Sequence, residues 1–320
     1  MAHDGGSRAI IAALGANLGI AATKLVAFLL TGSSSMLAES VHSLADSGNQ
    51  LLLLIGGRRA RREADEAHPF GYGRERYLYA FIVSIVLFSV GGMFALYEAW
   101  HKWADPHPID SWQWVALTVL VAAIGMESYS FRTAIHESNR TRAGQSWVQF
   151  IRSAKAPELP VVLLEDAGAL VGLMFALAGV TLTLVTGNGR WDAAGTGSIG
   201  ALLVVIAVVL ALETRSLLLG ESATAQDVRA IAAALVGDGV VSVIHLRTVH
   251  IGPDDLLVAA KIEVDGAETA AQVALAIDAA ERRVRAAVPI ARLIYLEPDL
   301  RRAVGARAGE AAEAGGAPAV

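Results

Sequence analysis

Six apolar runs, each about as long as a bilayer-spanning helix, constrain this chain more than any other feature. They lie at roughly residues 9–31, 34–57, 77–100, 112–130, 161–186 and 196–219. With 54% hydrophobic and 18% charged residues among 320, and a mean hydropathy of +0.48, the chain is too apolar for an ordinary soluble enzyme. Length allows about two domains, and the apolar excess thins after residue 220. The expected fold is therefore an α-helical membrane bundle of six transmembrane helices over 1–220, followed by a small second domain over 221–302 and a tail over 303–320.

Six spans place both termini on one side. Arg58, Arg59, Arg61, Arg62, Arg74 and Arg76 crowd one connection, and Arg132, Arg140, Arg142, Arg152 and Lys155 another, whereas the opposite connections hold Lys102 and Arg190. By the positive-inside rule the termini and the two basic loops are cytoplasmic. Trp100, Trp103, Trp112, Trp114 and Trp191 cluster at the outer ends of spans, where amphipathic rings prefer the headgroup level. Gly91 and Gly92 in the third run, and Gly168, Gly172 and Gly179 in the fifth, read as close helix packing. The first run follows MAHDGGSRAI with no Ala-x-Ala-like cleavage site, so it is expected to be a retained span rather than a signal peptide.

After residue 220 the periodicity changes. AQDVRAIAAALVG and ETAAQVALAIDAAERRVRAAV repeat as helices, while VVSVIHLRTVHIG, LLVAAKIEV and ARLIYLEP read as strands. The order αββαβ fits a small α+β unit of the ferredoxin-like open-sandwich type. The closing AVGARAGEAAEAGGAPAV has no packable apolar face and is expected to be disordered.

A net charge of −5 without a basic face argues against nucleic acid as a partner. The absence of cysteine removes disulfides, thiolate metal sites and cysteine nucleophiles together. No Walker loop, HExxH or Gly-x-Ser-x-Gly is present, so nothing points to an enzyme or a bound cofactor.

The second run nevertheless carries Glu39, His42, Asp46 and Asn49, spaced by three, four and three, which puts them on one helical face. An ionisable group at mid-span costs about 2.5 to 3.5 kcal/mol on insertion scales, so such groups face the bundle interior and default to function. The fifth run adds Glu165 and Asp166, whose directions differ by about 100°, with Asp166 the favoured member. The first adds Asn17 and Lys24, seven apart and so also on one face. Lys24 is either a countercharge to Glu39 or Glu165 or a side chain snorkelling to the interface. Glu127 and Glu213 read as interfacial. Imidazole and carboxylates at this spacing suit zinc, and a more carboxylate-rich site suits manganese or iron. The bland alternative is a polar network that only joins the helices.

At these residues the chain resembles a family. AESVHSLADSGNQ, then DEAHPFGYGRERY, then the late αββαβ unit are similar to the cation diffusion facilitator family of divalent-metal/proton antiporters, over residues 7 to about 300. The resemblance implies a transport site built from two residues four apart in each of the second and fifth spans. His42 and Asp46 match the first pair and Asp166 the last position, but Val162 stands where a histidine or aspartate is usual. The fifth span, with Leu163, Leu164, Glu165 and Asp166, resembles the family branch carrying LLED there, and either Glu165 or a water is then the fourth ligand or the site is three-coordinate. Asp65 and His68 match two ligands of a second, loop site, with Tyr72 in place of a histidine. In the last domain Ile244, Lys261 and Tyr295 replace the family's histidines, which leaves dimerisation as its main role. His245 and His250 are five apart, on opposite strand faces, and a different site using His250, Glu297 or Asp299 stays open.

The resemblance implies export of a divalent ion from the cytoplasm, zinc first, with manganese, iron, cobalt and cadmium open. It also implies a homodimer in a membrane, expected to be a bacterial plasma membrane. Histidine and carboxylates bind metal only when deprotonated, so release is coupled to proton uptake, and histidine titrates between pH 5 and 8. A proton-coupled carrier of another solute and a non-transporting membrane scaffold are the rival classes.

Overall fold

The computed structural model describes residues 3–107, 112–142 and 144–300, with side chains from Asn17 onward. The tail expected over 303–320 lies outside the described residues. The chain separates into two compact units, dividing between Leu219 and Gly220.

The first unit is helical. Helices α1 (His3–Thr31), α2 (Ser34–Arg59) and α3 (Glu75–Val86) are followed by a π-helical turn (Leu87–Met93) that runs without a break into α4 (Phe94–Ala104). Then come α5 (Gln113–Thr141), the short α6 (Trp147–Ser153), α7 (Glu158–Thr186) and α8 (Arg190–Leu219). Four helices among the described residues are long and apolar enough to cross a membrane: Glu75–Ala104, Gln113–Thr141, Glu158–Thr186 and Arg190–Leu219. The expectation of six is therefore met in part. The apolar stretch described in α1 is Asn17–Thr31, and α2 is interrupted by the polar face that includes Glu39, His42, Asp46 and Asn49.

Lipid-type surroundings are written on the outside of this unit. Leu29, Trp100, Tyr129 and Val185 are between 72% and 79% exposed, an arrangement that water would penalise and hydrocarbon would not. Inside, Leu87, Leu120, Leu173, Ile199 and Leu203 form the apolar core. Glycines set the closest helix approaches. A Cβ on Gly179 would lie 2.8 Å from the carbonyl oxygen of Trp191, and one on Gly195 2.8 Å from that of Phe175. Backbone therefore meets backbone between α7 and α8, the use of small residues expected between helices in lipid.

The entry to α2 is also built from small polar residues. Ser33 caps the helix by accepting from the amide of Met36 at 3.4 Å. The fully buried Asp192 of α8 then accepts from Ser33 Oγ at 2.8 Å, the Ser34 amide at 2.7 Å, Ser34 Oγ at 3.1 Å and the Ser35 amide at 3.3 Å. A carboxylate at a helix N-terminus receives exposed N–H groups and the favourable end of the dipole.

The second unit contains α9 (Ala225–Leu235), β1 (Val240–Gly252), β2 (Asp255–Val264), α10 (Ala270–Ala287) and β3 (Leu293–Asp299). The strand order is β1-β2-β3, with β1 and β2 antiparallel and β2 and β3 parallel. This is the αββαβ order read from the sequence. Leu256, Val258, Ala260 and Ile262 alternate into a core shared with Ile231 and Leu235 of α9 and Ala276, Ala280 and Val284 of α10. Thr269 and Gln272 close a capping box at the start of α10. Arg283 holds the end of α9, donating to the carbonyls of Ala234, Leu235 and Gly237.

Candidate functional site

The polar residues of α2 are buried as a seam against α1 and α7. Lys24 Nζ lies 3.0 Å from Glu39 Oε2 and donates to Ser43 Oγ at 2.8 Å, and Lys24 and Glu39 are 1% and 0% exposed. Lys24 is thus a countercharge to Glu39, and the snorkelling alternative is set aside. Gly172 admits α7 at this point, since a Cβ there would sit 3.0 Å from Glu39 Oε1. Nearly three turns further along α2, the amide of Asn49 donates to Glu165 Oε1 at 2.7 Å.

Between these two pairings lies a cavity of about 20 Å³, room for one water-sized species. Four carboxylates border it: Asp46 from α2, Glu127 from α5, and Glu165 and Asp166 from α7. Asn17 of α1 adds an amide to the wall, and Val162 an apolar patch at the position where the resemblance leads one to expect a ligand. Asp166 is oriented by Ser130, whose hydroxyl donates to its Oδ2 at 2.9 Å.

Adjacent residues Glu165 and Asp166 both reach the cavity despite their different directions. Asp166 is the favoured member from the sequence, and the cavity lies across the α7 surface where both acids border it. His42 behaves differently. It is 1% exposed, its Nδ1 lies 3.4 Å from Asp46 Oδ1, and neither ring nitrogen makes a hydrogen bond. It packs against Asp46 without bordering the cavity itself. Among the described residues no three His, Asp or Glu side chains close on a single point as a finished metal site. The acids line the space rather than enclose it.

The expectation that Glu127 is interfacial is corrected by its place on the cavity wall. The sequence did carry a signal: Glu127 and Ser130 are three apart and share a helical face. Glu213, read in the same way, lies 3.8 Å from Arg152. Asp192, which anchors α2, was not singled out, because a lone acid near a span end looks like an interfacial charge.

The residues matched to a loop site form a closed turn. Asp65 Oδ1 accepts from the His68 amide at 2.7 Å and lies 3.3 Å from His68 Nδ1, while Oδ2 accepts from the Tyr72 hydroxyl at 2.6 Å. The Tyr72 hydrogen bond, then that of the His68 amide, hold the Asp65 carboxyl below its ordinary range, and the same bond to Asp65 pushes the Tyr72 phenol up. Arg62 lies over the Tyr72 ring at 4.5 Å. Asp65 thus spends both oxygens inside the turn, with Tyr72 in the place of a further ligand.

In the second unit His245 is exposed and His250 buried, on opposite faces of β1. His250 is paired with Leu256 of β2, whereas Glu297 is paired with Lys261. Five residues of strand, about 16 Å, separate those positions along β2, so His250 stands apart from Glu297 and Asp299. Lys261 Nζ instead lies 3.2 Å from Glu297 and 2.7 Å from Asp299. Hydrogen bonds to Asp299 and Glu297 raise the Lys261 pKa, keeping a fixed ammonium between the two acids.

Residues 10–219 match the family of cation efflux transmembrane domains. The chain is 33% identical over 247 residues to a mitochondrial proton-coupled zinc antiporter of Xenopus laevis, covering 76% of this chain and 44% of that protein. It is 30% identical over 263 residues to metal tolerance protein C4 of Arabidopsis thaliana, covering 81% and 57%. The chain therefore spans about half the length of these relatives. Among solved structures, a MamM C-terminal domain aligns with 24% of this chain and 96% of its own length, at 25% identity and a TM-score of 0.23.

Proposed function

The chain belongs to the cation efflux family, and on that premise we propose that it is a secondary transporter, not an enzyme, that exports a divalent transition-metal ion, zinc first, from the cytoplasm in exchange for protons. The observation that carries this reading is the water-sized cavity bordered by Asp46, Glu165 and Asp166 within a helical bundle. Its size suits a single ion and argues against an organic solute, and a scaffold would need no such wall.

The proposed ligands are Asp46, Asp166 and Glu165, with His42 turning from behind Asp46 to complete the set. Glu165 supplies the donor that Val162 lacks. Each of these groups binds the ion only after losing its proton, so protons arriving from the outer side displace the ion and the exchange is coupled by competition. Glu39, Asn49, Asn17 and Lys24 position the walls. A second reading, manganese or iron as cargo, is favoured by one observation: carboxylates border the cavity and His42 does not.

Six spans with cytoplasmic termini, and a homodimer joined through the second unit, complete the proposal. The zinc antiporter among the relatives supports the metal and the proton coupling. The proposed setting is a bacterial plasma membrane, tested by fractionation, where enrichment in an internal membrane would relocate it. The deciding experiment is metal flux into proteoliposomes under an imposed pH gradient, comparing zinc, manganese, iron, cobalt and cadmium for wild type and Asp46→Ala. Flux that grows with the gradient and is lost in the variant supports transport at this cavity. Flux absent for every metal, or unchanged in the variant, refutes it.

A further inference from the structure

We propose that Glu127 of α5 is itself a ligand of the transported ion, so that the site draws carboxylates from three helices and admits oxygen-seeking divalent ions beside zinc. The proposal rests on the reading of the cavity as the transport site.

Three observations carry it. Glu127 borders the same cavity as Asp46, Glu165 and Asp166. One turn further along α5, Ser130 is hydrogen-bonded to Asp166 Oδ2 at 2.9 Å, which docks this face of α5 onto the acid of α7. Glu127, three residues earlier, is on that face.

The charge balance points the same way. Among the described residues no lysine or arginine forms an ion pair with any of the four cavity carboxylates, and the nearby Lys24 ammonium is engaged by Glu39 and Ser43. Four acids gathered in a low-dielectric bundle stay balanced either by taking up protons or by receiving positive charge. A divalent cation supplies it.

A separate feature points to a ligand. His42 is 1% exposed, has no hydrogen bond at either ring nitrogen, and faces Asp46 Oδ1, which is also unpartnered, on the cavity wall. Buried polar groups in this condition call for a partner. Within the wall, Asp166 is held by Ser130 and Glu165 by Asn49, whereas Glu127 makes no hydrogen bond among the described residues. Its carboxylate, like that of Asp46, can follow an ion without breaking a hydrogen bond. Oxygen-rich donor sets favour manganese over softer-ligand sites, so Glu127 would tilt selectivity in that direction.

The test uses the full purified chain in detergent, with equilibrium binding of manganese and of zinc measured separately, and flux of each in proteoliposomes. Glu127→Gln keeps the size and removes the charge. Manganese affinity is expected to fall about tenfold or more, zinc affinity less, and the manganese-to-zinc flux ratio to drop with them. Glu127→Asp keeps the charge on a shorter arm and is expected to retain most manganese binding, which also covers the case in which the amide variant does not fold. Unchanged affinities and flux ratio in Glu127→Gln, with binding lost in Asp46→Ala, would overturn the role of Glu127 alone. Unchanged binding in both variants would remove the transport-site reading and this proposal together.

Discussion

The side-chain amide of Asn49 donates to Glu165 Oε1 across 2.7 Å, joining α2 to α7 at the edge of the cavity. Both residues are buried. The hydrogen bond fixes one of the two adjacent acids of α7 and leaves the other to Ser130.

Replacing Asn49 by leucine removes the donor and leaves a buried carboxylate oxygen without its partner. A bond of this charged kind contributes about 1.5 to 3 kcal/mol. Thermal unfolding of the detergent-solubilised variant is expected to shift down accordingly, and flux to fall with Glu165 no longer held. An unchanged melting temperature would mean that Glu165 does not depend on this contact.

The Lys24–Glu39 pair makes a sharper prediction because it has almost no exposure. Lys24→Met strands a buried carboxylate and is expected to cost about 3 to 5 kcal/mol, whereas the double replacement Lys24→Met, Glu39→Leu should recover much of the loss. Denaturation of the two variants decides it. A double variant as unstable as the single one would show that packing, not charge, governs this seam.

At the contact of α7 with α8 the obstacle is backbone. Gly179→Ala forces a methyl to 2.8 Å from the Trp191 carbonyl oxygen, and overpacking of this kind costs about 1 to 3 kcal/mol. Gly125→Ala is the control, since a Cβ there meets nothing within 4 Å. Equal melting temperatures for both variants would contradict the close approach.

The turn at Asp65 predicts a pH dependence with a definite sign. A carboxyl held low in the folded state contributes stability above its unfolded pKa of about 3.9, lost as pH falls through the lower folded value. The turn should therefore persist unchanged from pH 5 to 8 and loosen only under strong acid. Tyr72→Phe removes the principal cause of the shift. Its Asp65 carboxyl, followed by NMR of 13C-labelled aspartate, should titrate nearer the ordinary value, and an unmoved titration would assign the shift elsewhere.

Because the chain has no cysteine, single cysteines placed at Arg62 and Trp191 report sidedness without further engineering. Labelling by an impermeant reagent is expected at Trp191 from outside intact cells, and at Arg62 only after permeabilisation. The reverse pattern would invert the proposed topology.

The sequence was most readable where one helix carries the whole message. The spacing of Glu39, His42, Asp46 and Asn49 reveals a common face, and all four turn inward. What a helix cannot disclose is its depth and rotation against its neighbours. Glu127 looked interfacial for that reason, and Glu165 and Asp166 seemed to compete for one point when the cavity borders both. The same limit hid Asp192, whose partners are 157 to 159 residues away in the chain. In the second unit, alternation along Leu256, Val258, Ala260 and Ile262 is a purely local signal, and the strand was found with it.

The grip of Asp192 on Ser33, Ser34 and Ser35 gives α2 a fulcrum. Twelve residues of helix, about 18 Å, separate Ser34 from Asp46, so the serine end can stay clasped to α8 while the Asp46 end swings. A tilt of about 10° about that clasp carries Asp46 through roughly 3 Å, on the order of one metal–ligand bond and its clearance. The serine end of the helix then works as the pin of a lever. A small rotation there is enough to widen or narrow the cavity that Asp46 borders.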